Sequence, residues 1–92
     1  MNDISGSITS GGTAQALAAA DPNRCGFMIE NLHATSALWF NVNLTAVENQ
    51  PSIKVPAGAL YETPPNLPAS VVAGTLSIIG PTTSQTFTAK TW

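Results

Sequence analysis

Ninety-two residues suffice for one domain with one core, and a chain of that size buries at most about 60 to 70% of its unfolded surface. Only 9% of the residues are charged, against about a quarter in an ordinary soluble domain. The net charge is −2 and the cations Arg24, Lys54 and Lys90 are far apart in sequence, which argues against an enzyme and against nucleic acid, whose backbone is held by clustered cations.

The single cysteine, Cys25, has no internal disulfide partner, and with one histidine, His33, the chain lacks the soft ligands of a structural metal. No metal and no cofactor are expected. No apolar run is long enough to span a membrane, and Met1-Asn2-Asp3-Ile4 shows neither the basic nor the apolar segment of a secretory signal. The expectation is a chain made in a cytoplasm, with no membrane partner, whose extra stability comes from an oligomer or a scaffold.

Taken in order, the elements alternate with a period of two. Ile4-Ser5-Gly6-Ser7-Ile8 predicts a first short strand within an extended N-terminal arm, residues 1–12, closed by Ser10-Gly11-Gly12. Residues 13–20 are alanine-rich and have helix propensity, but eight residues make a marginal helix, and an all-β setting favours a strand with Leu17 inward. Asp21-Pro22-Asn23 is a turn. In the next run Cys25, Phe27 and Ile29 share a core face, with Arg24, Met28, Glu30 and Leu32 opposite.

After His33-Ala34-Thr35-Ser36, the run 37–43 places Leu38, Phe40 and Val42 on one face and Trp39, Asn41 and Asn43 on the other. These two runs are expected to pair as a hairpin. Ser52 to Val55 and Ala59 to Thr63 read as short strands, the first bounded by Pro51 and Pro56, and Pro64-Pro65-Asn66-Leu67-Pro68 reads as an exposed loop or docking strap. Val71 to Ile79 is the most β-prone run, with Gly74 as a bulge, and Gln85 to Trp92 is the last strand. The fold class is therefore all-β: a single domain over residues 1–92, a β-sandwich or small jelly-roll-like barrel of about seven or eight short antiparallel strands.

The segments Gly11-Gly12-Thr13-Ala14-Gln15 with Leu17, Asn23 to Asn31, Leu38-Trp39, Leu76 to Gly80 and Gln85 to Ala89 resemble small proteins encoded among the structural genes of tailed bacteriophages. Among these the likeness is greatest to capsid decoration, or cement, proteins. The resemblance implies a β-sandwich or β-tulip fold, a place on the capsid surface of the virion after assembly in the host cytoplasm, and the major capsid protein or another virion protein as partner, with copies of the chain itself as a homo-oligomer. It transfers no functional residue. The alternative readings are a head-fibre base, neck or tail component, and a carbohydrate-binding β-sandwich module that stacks sugars on Trp39, Tyr61 or Trp92 beside Asn41 and Asn43.

No residue set reads as catalytic. Cys25 and His33, eight residues apart on one extended run, are too distant for a thiolate and its base, so Cys25 is expected to be a buried structural residue. The carboxylates are scattered, with Glu30 and Glu62 on a solvated face or paired with Arg24 or Lys54. The candidate interface is instead Ile4, Ile8, Met28, Leu32, Trp39, Tyr61 and Trp92. Met28, Leu32 and Trp39 lie on minority faces, Trp92 is terminal, and Tyr61 is an aromatic able to stack; Ile4 and Ile8, in the N-terminal arm, are placed to add a strand to a neighbour's sheet.

Overall fold

The computed structural model describes residues 1–92. In chain order it contains β1 (Asn2–Asp3), β2 (Gly6–Ser7), β3 (Gln15–Ala18), β4 (Phe27–Asn31), β5 (Leu38–Val42), β6 (Ile53–Val55), β7 (Leu60–Glu62), α1 (Ala69–Val72), β8 (Leu76–Ile79) and β9 (Thr86–Thr91). The strands form two antiparallel sheets. Sheet A has the order β1-β9-β4-β7, with β2 beside β1 along the same edge of β9, and sheet B has the order β3-β8-β5-β6. This is the all-β sandwich expected from the alternation.

Inward positions of both sheets meet in one core. Phe27, Ile29, Phe87 and Ala89 come from sheet A, Leu38, Phe40, Val55, Leu76 and Ile78 from sheet B, and Ile8 joins them from the N-terminal segment. Phe27 and Phe40 meet edge to face at 5.7 Å, and Tyr61 lies 4.8 Å from Phe40, so three rings tie the layers together near β7. Leu17 packs against this cluster, as expected of a strand rather than a helix.

Several expectations change. The runs around β4 and β5 are not a hairpin, because β4 is flanked by β9 and β7 while β5 is flanked by β8 and β6. Both ladders of each strand are occupied, so their apolar faces meet across the sandwich. The N-terminal arm is not free either: β1 and β2 pair with β9 in one unbroken register, Asp3 to Lys90 and Gly6 to Phe87. Between them the Ser5 hydroxyl takes the Ala89 N–H at 3.0 Å, which replaces a main-chain bond and splits the strand in two.

The run Val71 to Ile79 is not continuous. Val71 and Val72 belong to one helical turn, and Gly74 follows at a close approach where a Cβ would fall 2.0 Å from Asn43 Oδ1. Tertiary contacts override local β propensity here: the Arg24 guanidinium donates to Val72 O at 3.1 Å and Gly74 O at 2.7 Å, and also to Ala19 O at 2.6 Å. Arg24 is thereby buried, 7% exposed, instead of lying on the solvated face with Met28.

Candidate interaction surface

A partner must meet the sandwich at an edge, an end or a face. Edge strands carry unpaired main-chain groups, and the edges at β2, β3, β6 and β7 are guarded. On β3 the register with β8 shifts between Ala16 and Ala18, leaving Leu17 as an extra residue. β6 lies between Pro51 and Pro56, and β7 runs into Pro64-Pro65. The free edge of β2 is closed by a side chain: Gln15 Nε2 donates to Ser7 O at 3.1 Å and Gln15 Oε1 accepts the Thr9 N–H at 2.8 Å. One amide thus makes the pair of bonds that a further strand would make.

The ends are closed by polar networks. At the C-terminal end of β4, Asn31 Nδ2 donates to Ser36 O at 2.8 Å and Val55 O at 3.1 Å, while Asn31 Oδ1 accepts the His33 N–H at 3.0 Å. Gln85 Nε2 adds bonds to Ser36 O at 3.1 Å and Ala37 O at 3.0 Å, and His33 Nδ1 accepts the N–H groups of Thr35 and Ser36. At the other end Arg24 clasps its three carbonyls, and Trp92 O accepts from the N–H groups of Cys25 and Gly26. Gly26 is needed there, since a Cβ would come within 2.8 Å of the Trp92 ring.

The faces remain. On the outer side of sheet A, Met28 lies between Lys90 and Glu62, and Glu30 lies between Thr88 and Leu60. Leu32 follows on the same side of the chain, and Leu32 and Leu60 are 52% and 55% exposed. Asp3 stands across from Lys90 at the far edge; hydrogen bonds from the Ser5 hydroxyl and N–H hold its carboxyl below the ordinary carboxylate value, with a smaller contribution from Lys90. On the outer side of sheet B, Trp39 lies between Ile79 and Lys54, and Lys54 Nζ stands 5.6 Å from its ring centroid. The segment after β5 folds back here, with Ala46 buried and its N–H donating to Ser77 Oγ at 3.0 Å.

Against the sequence expectation, Ile8 is a core residue and Ile4 packs on the core, both held by the ladder to β9, so neither is presented to a neighbouring sheet. Tyr61 is directed inward against Phe27 and Phe40. Met28 and Leu32 lie on the outer face of sheet A, Trp39 half-buried on that of sheet B, and Trp92 partly exposed at the Arg24 end. Cys25 is exposed rather than buried, because it precedes β4 in a loop. The whole of β4, about 16 Å at 3.3 Å per residue, separates it from His33. Glu30 and Glu62 have Lys90 as their neighbouring cation, since Arg24 is turned into the end of the sandwich and Lys54 is on the other sheet.

No family model, curated protein or solved structure matches this chain. No three His, Cys, Asp or Glu side chains are grouped to hold a metal ion. The larger concavity, about 460 Å³, is an open groove between the alanines of β3 and residues 43–45, floored by Thr75, Leu76 and Ser77. It contains no ionisable side chain. Sequence reasoning missed the residues that close the molecule, Gln15, Arg24, Asn31 and Gln85. For two of them a signal exists: Asn31 shares the parity of Phe27 and Ile29, and Gln85 that of Phe87 and Ala89, so alternation directs both inward.

Proposed function

We propose that the protein is a non-enzymatic structural component of a tailed-bacteriophage virion that binds the assembled capsid and stabilises it, as a decoration or cement protein. The observation that supports this reading best is the surface. Its core is complete, its edges at β2, β3, β6 and β7 are guarded, and yet Leu32 and Leu60 stand more than half exposed on one sheet face, where contact with a partner removes apolar area worth about 25 cal/mol per Å². Such a module acts by mass action. Binding only the assembled lattice, it favours that lattice by RT ln(1 + [L]/Kd) at every site, so modest contacts sum over the shell.

A carbohydrate-binding role draws less support, because Trp39, Tyr61 and Trp92 occupy an outer face, the interior and an end, and so form no shared stacking platform. The test is to add purified protein to phage heads that lack it and to count bound copies by mass. Hundreds of copies per head are expected. No binding, or a handful of copies, overturns the decoration reading and moves the protein to a neck, fibre or tail position.

A further inference from the structure

The eight charged side chains are unevenly placed. Asp3, Lys90, Glu30 and Glu62 all lie on the outer face of sheet A, as their register with one another and with Met28 requires. That face therefore carries the whole net charge of −2, because the other four, Asp21, Arg24, Glu48 and Lys54, cancel. It also carries Leu32 and Leu60. An acidic, apolar face calls for a cation set beside apolar side chains.

Within the molecule only one cation answers that description. Arg24 is buried on carbonyls, and Lys90 already faces Asp3. Lys54 is exposed on the opposite sheet, its ammonium over the half-buried Trp39 ring, which supplies the apolar surface beside it. The two surfaces point away from each other, so one copy cannot satisfy itself. We infer that the outer face of sheet A docks the Lys54–Trp39 side of sheet B in a second copy, a head-to-tail contact that builds a ring or a chain of subunits.

The molecule spans 32 × 21 × 19 Å, so one broad face reaches at most the area of one side of a standard interface, about 800 Å² per partner. The contact belongs to the weak class and is favoured where copies are already aligned on a surface. It rests on the reading of this chain as an assembling structural module and specifies how neighbouring copies meet.

The test is sedimentation velocity from micromolar to millimolar protein at low ionic strength. Mass above the monomer is expected to grow with concentration and to fall with added salt. Glu62→Lys and Lys54→Glu should each weaken association roughly tenfold, while an equimolar mixture of the two, or a chain carrying both, should recover it. Both side chains are exposed, so unchanged melting curves serve as the folding control, and Leu60→Ser probes the apolar part without altering charge. A chain that stays monomeric throughout, or associates without sensitivity to these reversals, overturns the inference. A monomeric chain that still coats phage heads defeats this inference alone, whereas self-association without head binding defeats only the decoration reading.

Discussion

Where β4 begins, a single guanidinium gathers three carbonyls from residues 19, 72 and 74; where β4 finishes, two neutral amides, Asn31 and Gln85, gather the carbonyls of residues 36, 37 and 55. Both arrangements bind loops of distant sequence to the end of the same strand. They differ in what a lost partner leaves behind. A buried cation is tolerable only while its hydrogen bonds are made, and its carbonyl partners have no other donor of that reach. The amides share Ser36 O, so each covers part of the other's loss, and Gln85 Oε1 is already without a partner. The charged end is therefore the brittle one.

The largest effect is expected from Arg24→Met, which should cost about 3 kcal/mol. For a domain of this size that lowers the melting temperature by roughly 12 to 24 °C. Arg24→Lys should recover little, because an ammonium cannot reproduce the planar fork. A lysine variant as stable as the parent would show that charge alone holds this end.

Smaller losses are expected at the amide end, read by urea unfolding. Asn31→Ala should cost about 2 kcal/mol, since it leaves Val55 O and the His33 N–H unpaired. Gln85→Met should cost about half as much, because it removes the unpaired Oε1 together with the Nε2 bonds. Equal losses for Gln85→Met and Arg24→Met would erase the contrast between the ends.

The smallest effect belongs to Asp3, which is fully exposed and holds the start of the N-terminal strand through Ser5. Its carboxyl titrates lower in the folded protein than in the unfolded chain. The stability it contributes is therefore present above the ordinary carboxylate value and is lost as the pH falls through the lowered one. Asp3→Asn should therefore lower stability slightly at neutral pH, leave it unchanged at pH below the lowered value, and so flatten the acid limb, as measured by melting at a series of pH values.

Much of the fold was legible because a half-buried strand marks its own faces. Phe27 and Ile29, Leu38 and Phe40, and Phe87 and Ala89 recur at every second position, and all are inward. The candidate surface was legible only in part. Met28, Leu32 and Trp39 stand on outer faces as their parity requires, but Leu60, Glu62 and Lys54 acquire meaning only from their cross-strand neighbours. Ile8 was misplaced because glycine and serine around it suggested a loose arm, whereas the ladder to β9 supplies the order its neighbours lack. Arg24 carried no warning at all, since its parity pointed outward.

The sequence by itself determined the fold class, the inward faces and the turns, because alternation and the special conformations of glycine, proline and asparagine are local properties of the chain. Tertiary structure alone decided that β4 and β5 belong to different sheets, that Val71 and Val72 coil into a helical turn, and that the net charge collects on one face. The physical reason is that strand pairing is made by main-chain groups common to all residues but proline, so the side chains that report which face is dry do not report which strand lies alongside.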